Sequence, residues 1–478
     1  MLVVISDLHF EEEKSRNIRG DGVHKAIEVP RNIPLKAFAK IFDRLAKQAR
    51  RDNARRMDLV LSGDIFELHR TGLWLRENPY HVRPYVSADS VDVNLESKVL
   101  EILHAINAED DSPCKVLAAF RRLSQEGGYL DENGEEQAFP VPVKIHYIPG
   151  NHDRLANSTP SIRRTVREFL GLAASDDAFP HQLIFPEERT LIRHGHEYDP
   201  LNFSRDYRDQ ETVPRQIPKE AYDGATIGDF ITVDVASGIS EWFRRVHRDE
   251  VILADPLLRR VYERILEFDD LRPLHAIPSF LLHMPDTGFT PDQIWHQAIK
   301  PVVQALLDDI FRDPFLNTWL DKSDKKGWLD LSDVTQVALG LRIWDWPVWD
   351  WNLVSLDLVG RLSEKLIEMA QGGSGPELMA AREEVVQDGE VLFVVGGHTH
   401  SPAVKLIGVQ AAGEQYYVDT GTWRQQLPAA PDFRRFGRIK SLTYVVVYGP
   451  EEDFGRPAQA GKIASLDYWS GVTQRWAA

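Results

Sequence analysis

Leu2-Val3-Val4-Ile5-Ser6-Asp7-Leu8-His9 opens with four apolar residues, three of them β-branched, and closes on a carboxylate and an imidazole. A run of that length and branching reads as a buried sheet strand. Asp7 and His9, two apart where the strand gives out, share one side of the pleat. The same arrangement recurs along the chain. Leu59-Val60-Leu61 runs into Gly63-Asp64, and Ile145-His146-Tyr147-Ile148 into Gly150-Asn151-His152-Asp153. Val391-Leu392-Phe393-Val394-Val395 runs into Gly397-His398-Thr399-His400, and His194-Gly195-His196 lies between the third block and the last. Between the first two strands, Leu35 to Ala46 repeats its apolar residues at three- and four-residue spacing, the pattern of an amphipathic helix. Strand, helix, strand is the crossover of an α/β layer fold, in which ligands collect at the carboxyl ends of the strands.

The residue types in the blocks point to metal chemistry. Carboxylate, imidazole and one amide oxygen, delivered from separate strand ends, suit a pair of divalent cations. Each block alone is weak, since Asp-x-His arises by chance and an Asp after a strand is an ordinary helix N-cap. Asn151 adds a neutral oxygen that hard cations accept, and imidazoles two apart at His398 and His400 suit Mn, Fe, Zn or Ni. Either His194 or His196 can serve from its block. Four blocks in this order, each behind a strand, carry the inference.

On Asp7-Leu8-His9, Gly63-Asp64-Ile65-Phe66-Glu67, Gly150-Asn151-His152-Asp153, His194 and Gly397-His398-Thr399-His400, the chain resembles the calcineurin-like metallophosphoesterase superfamily. That family's pattern is Asp-x-His, Gly-Asp-x-x-Asp/Glu, Gly-Asn-His-Asp/Glu, a His, then Gly-His-x-His. The likeness covers residues 1–200 and 391–478, and implies an α/β four-layer sandwich of two mixed sheets flanked by helices. Residues 201–390 then form a large, mostly helical insertion or cap. The resemblance implies one metal on Asp7, His9, Asp64 and His400, and a second on Asp64, Asn151, His194 and His398, with Asp64 bridging. Two divalent ions are expected, manganese first, with Fe, Zn, Ni or Co also fitting the donors. The implied reaction is hydrolysis of a phosphate mono- or diester by a bridging hydroxide. His152 takes the catalytic role beside the ligands, donating to the phosphate or to the leaving oxygen, and Asp153 is expected to orient it. Arg154 and His196 are candidates for substrate contact, Arg154 suiting a surface or N-cap position equally well. Glu67 reads as an orienting group, and His69 with Arg70 as a solvated helix face.

Bulk properties narrow the partners. With 43% hydrophobic residues the chain can fill a core, and 73 acidic against 56 basic residues give a net charge of −17. That balance works against a general nucleic-acid binder. Cys114 is the only cysteine, which excludes intrachain disulfides and thiolate metal clusters. No apolar run is long enough to span a bilayer, and the first strand leaves no room for a signal peptide, so a cytoplasmic protein is expected. A phosphorylated small molecule or nucleotide is the expected substrate. A DNA or RNA nuclease of the same superfamily and a non-catalytic scaffold are the alternatives.

Elsewhere the patterns are coarser. Residues 93–126 read as helical, 127–140 as a turn region, and 10–34 as a loop near the site mouth. Pro256 to Phe268 and Pro301 to Phe311 read as helices with Pro in the first turn. Gln415 to Val418, Leu442 to Val447 and Ile463 to Trp469 read as strands, and Gly372 to Pro376 as a flexible link. Eight of the 12 tryptophans fall between Trp242 and Trp351, four of them in Trp344-Asp345-Trp346-Pro347-Val348-Trp349-Asp350-Trp351. Packing between insertion and core, an aromatic cap over the metals, or a membrane-facing surface would each use such a cluster.

Overall fold

The computed structural model describes residues 1–76, 81–85, 93–109, 111–272, 276–310, 312–316, 318–319, 375–452 and 464–473. The Trp344 to Trp351 cluster and Gly372 to Ser374 lie outside the described residues. In chain order the strands are β1 (Leu2–Ile5), β2 (Met57–Ser62), β3 (Gly128–Leu130), β4 (Glu136–Ala138), β5 (Val143–Ile148), β6 (Gln182–Phe185), β7 (Thr190–Arg193), β8 (Leu271–Arg272), β9 (Phe393–Gly396), β10 (Ala403–Gln410), β11 (Gly413–Asp419), β12 (Gln425–Pro428), β13 (Ile439–Tyr448) and β14 (Ser465–Thr473).

They form two mixed sheets and a hairpin. The first sheet runs β5-β2-β1-β13-β12-β8, with β14 also on β13; the second runs β10-β11-β9-β7-β6. β5, β2 and β1 are parallel, while β13 lies antiparallel to β1 with Leu2 opposite Val447. In the second sheet β11, β9 and β7 are parallel, edged by antiparallel β10 and β6.

The period-two alternation of a strand explains why β1 is apolar throughout. Leu2 and Val4 face the second sheet, joining Val60, Ile148, Ile192, Val395, Val418 and Val445 in one cluster. Val3 and Ile5 face the other way, into a cluster with Phe38, Phe42, Val99, Phe120 and Val166. Those partners come from α1 (Leu35–Arg51), α2 (Val93–Ile106), α3 (Ser112–Gln125) and α4 (Pro160–Leu170). Across the second sheet, Met379, Val385 and Val386 of two short helices, Pro376–Ala380 and Glu384–Gln387, pack on Leu191, Val394 and Tyr417. Helices, sheet, sheet, helices is the α/β sandwich that the resemblance implied. Each fully buried Val, Leu or Phe contributes about 1.5–3 kcal/mol, so both strand faces hold the layers together.

Some boundaries differ from the sequence reading. The 93–126 helix divides at 107–111, because Ser112-Pro113 begins a new first turn. The 127–140 turn region is a hairpin of β3 and β4. Helix Pro256–Ile265 stops before Phe268, where Asp269 and Asp270 turn inward to arginines. His69 and Arg70 are buried rather than solvated. Within 201–390, helices Gly238–His247 and Pro256–Ile265 build their own apolar cluster, which takes in Ile18 and Ile27 from the 10–34 loop and Leu427 of β12. The same segment supplies β8, which pairs in parallel with β12 and so extends the first sheet. No helix among the described residues is long and apolar enough to cross a membrane.

Candidate metal centre

Five strand ends meet at one place: β1, β2 and β5 from the first sheet, β7 and β9 from the second. Their loops are stitched by backbone bonds, with Asp7 N–H donating to Gly63 O (3.1 Å), His9 N–H to Asp64 O (2.8 Å) and Gly397 N–H to His194 O (2.6 Å). Of ten non-glycine residues with positive φ among the described residues, five are Asp7, His9, Asp64, His398 and His400. Such conformations cost on the order of 1–3 kcal/mol each and persist where the surroundings over-determine them. Among the described residues, half of the non-glycine positions with positive φ therefore fall on five of the seven ligand candidates.

Two groups of donors adjoin there. In the first, His400 Nε2 lies 3.3 Å from Asp7 Oδ1 and 3.0 Å from His9 Nε2. In the second, His194 Nε2 is 3.2 Å from Asp64 Oδ2, and His398 Nδ1 is 3.0 Å from Asn151 Oδ1. Asp64 Oδ2 is also 3.8 Å from His9 Nε2, so one carboxylate faces both groups. Asp7, His9 and His400 could hold one ion, and Asp64, His194 and His398 another.

The rings are held so that lone pairs point inward. The outer nitrogen of His9 is bonded to Glu67 (2.9 Å), that of His194 to Ser62 O (2.9 Å), and that of His398 to Asp199 (3.0 Å). Each outer nitrogen then carries the proton and leaves the inner one as a ligand, the usual arrangement behind a metal-binding histidine. Asp64 Oδ2 and His194 Nε2 are buried and have no hydrogen-bond partner. Two acceptors 3.2 Å apart repel unless a proton or a cation lies between them. Burial pushes the His194 pKa down, but Asp64 and Asp7 outweigh it and hold it well above 6.5. His9 is likewise raised, burial being overcome by Asp7 and Glu67. The donor set fits divalent cations. His400 differs: Arg272 Nη2 donates to its Nδ1 (2.9 Å), which leaves that neutral ring's proton on Nε2. Ligation through Nε2 requires Arg272 to release Nδ1.

Asp153 does not orient His152. Its carboxylate accepts backbone N–H groups from Gly150 (2.6 Å), Ile65 (2.8 Å), Asp64 (3.2 Å) and Phe66 (3.3 Å). Buried loop amides need an acceptor, and Asp153 supplies it for two strand ends at once. Burial and the charge of Asp64 push its pKa up to about 6. Glu67 takes the orienting role, accepting from His152 Nδ1 at 2.8 Å with one oxygen and from His9 with the other. Burial would raise the Glu67 carboxyl, but His152 and Arg70 hold it well below its ordinary value. The His152 side chain is 13% exposed, at the open edge of the cluster.

The remaining candidates divide. His194 faces Asp64, whereas His196 stands outside both donor groups against Phe203 and Tyr222, and burial holds its pKa down to about 3. Arg154 is paired with Asp229 (2.8 Å) and donates to Pro84 O, which commits its guanidinium to the protein. Asp199, Asp229 and Arg272 escaped the sequence reading. Asp199 follows the His194-Gly195-His196 block by three residues, which was the one available signal; Asp229 and Arg272 lie within residues 201–390 and carry none. No family model, curated protein or solved structure matches this chain.

Proposed function

We propose that the protein is a metal-dependent phosphoesterase of the calcineurin-like type, hydrolysing a phosphate mono- or diester at a dinuclear centre. The observation that carries this is Asp64, an orphaned buried carboxylate oxygen lying between two groups of inward-facing imidazoles. Two cations held close together need a shared anion, and Asp64 is the carboxylate that would supply it. When bound, such ions, manganese first among Mn, Fe, Zn, Ni and Co, supply Lewis-acid charge and lower the pKa of a water.

The chain's own contribution is positioning. Asp7, His9, Asp64, Asn151, His194, His398 and His400 would hold the ions, and the Asp153 latch fixes the loops that carry Asp64 and Asn151. Glu67 accepts the Nδ1 proton of His152 and supports charge on that ring, so that Nε2 can hand a proton to the leaving oxygen. Burial of six of these seven residues, all but His398, limits bulk water and strengthens these interactions. A phosphorylated small molecule or nucleotide suits this centre better than a polymer, since −17 opposes a nucleic-acid backbone. A single cysteine and no need of disulfides suit the cytoplasm.

The test is a panel of phosphomonoesters, phosphodiesters, nucleotides and single- and double-stranded DNA, assayed with each candidate metal beside Asp64→Asn. Hydrolysis of one ester class, lost in Asp64→Asn, is expected. Two bound ions with no hydrolysis of any class would sink the proposal. Salt-sensitive cleavage of DNA alone would favour the nuclease.

A further inference from the structure

Among the described residues six arginines are buried, and each is paired with a carboxylate. Arg16 pairs with Glu11 (3.1 Å), Arg31 with Asp269 (2.7 Å), Arg70 with Asp269 (3.1 Å), Arg154 with Asp229 (2.8 Å), Arg193 with Glu383 (2.9 Å) and Arg424 with Asp270 (2.9 Å). Arg272 differs from all six. Its guanidinium donates to the carbonyls of Asp269 (3.0 Å) and Leu271 (2.7 Å) and to His400 Nδ1 (2.9 Å), all of them neutral acceptors. Asp269 and Asp270, just before it in the chain, are turned to Arg31, Arg70 and Arg424. Arg272 as a residue is half-buried rather than fully enclosed. A guanidinium drawn from water without a counter-ion is costly, and an arriving anion relieves that cost.

We propose that Arg272, which the insertion brings to the centre on β8, binds the phosphoryl group of the substrate and selects a phosphate monoester. This rests on the phosphoesterase reading. The planar fork of a guanidinium matches two phosphoryl oxygens. A diester presents one negative charge to the centre, whereas a monoester dianion presents two, and Arg272, which has no carboxylate within ion-pair distance among the described residues, answers the second. Were His400 to ligate through Nε2, its ring proton would stand on Nδ1, and the Arg272 donor now spent there would be free for substrate.

The experiment uses the full-length, manganese-loaded protein. Calorimetric titration with inorganic phosphate is run beside kinetics on p-nitrophenyl phosphate and bis-p-nitrophenyl phosphate, for wild type, Arg272→Ala and Arg272→Lys. Arg272→Ala should keep its manganese while the phosphate Kd and the monoester KM rise about tenfold or more, the scale of one lost charge-assisted contact. The diester KM should change little, and Arg272→Lys should recover part of the monoester loss. An unchanged phosphate Kd, or equal losses on both esters, would overturn the proposal. If Arg272→Ala does not fold, phenylglyoxal labelling of wild-type Arg272, read by peptide mass spectrometry, replaces it: protection by phosphate supports the assignment and unaltered labelling overturns it. Phosphate binding that depends on Arg272 without hydrolysis of any ester would remove the phosphoesterase reading and keep the anion site. Hydrolysis indifferent to Arg272 would do the reverse.

Discussion

His152 has Nδ1 committed to Glu67 and groups with His9 and Glu67 rather than with the donor sets of Asp7 or Asp64. His152→Ala is therefore expected to retain both metals and lower kcat by about 10²–10⁴, the usual worth of a positioned proton donor. Metal content by mass spectrometry beside kcat checks this; loss of an ion would make His152 a ligand. The neighbouring carboxylates show where sequence proximity misleads. Asp153 stands next to His152 in the chain yet serves four backbone amides, while Glu67, 85 residues away, holds the ring. The choice is made by unsatisfied buried N–H groups, which no spacing rule displays.

At the scale of elements, the site depends on close approach between strand ends. A Cβ at Gly150 would stand 2.7 Å from both the Asp64 nitrogen and His194 Cδ2. Gly150→Ala should push Asp64 and His194 apart and weaken metal binding about tenfold or more, since bridging geometry tolerates little displacement. Gly127→Ala makes the contrast: that glycine has φ +65 and open space around it, so the variant should cost only about 1–2 kcal/mol of backbone strain and leave metal affinity alone. Metal titrations and thermal melts of the two variants decide it, and wild-type affinity in Gly150→Ala would refute the role given to that contact. The strands and α1 were legible because both faces of β1 are buried and one face of α1 is. The helix runs past Ala46 to Arg51, where Arg50 and Arg51 suit the negative end of its dipole. The division of 93–126 was marked in the sequence only by Ser112-Pro113.

For the whole molecule, metal, proton and stability are linked. The raised pKa values of His9 and His194 mean that their protonated forms contribute stability in the metal-free protein. That contribution is fully present below pH 6.5, the ordinary histidine value, and is lost as pH rises through the raised values. Metals displace those protons, so metal affinity rises over the same range. Melts with chelator should therefore show a falling Tm from pH 6.5 upward, while the gap to the manganese-loaded protein widens. At a free metal concentration about 100 times Kd, the stabilisation is about 2.7 kcal/mol. A gap independent of pH would mean that His9 and His194 are not the groups the metals displace.

What the sequence by itself determined is the core strands β1, β2, β5 and β9 and the donor types at their ends, because both are local: strand character lies in a few consecutive residues, and ligand chemistry lies in residue type. The tertiary structure decided the rest. It turned His194 rather than His196 toward Asp64, spent Arg154 on Asp229, and assigned His152 to Glu67. It also carried Arg272 from the insertion to His400, 128 residues distant in the chain. These are matters of which buried polar group finds which partner, and burial and pairing are settled only when separate segments pack together.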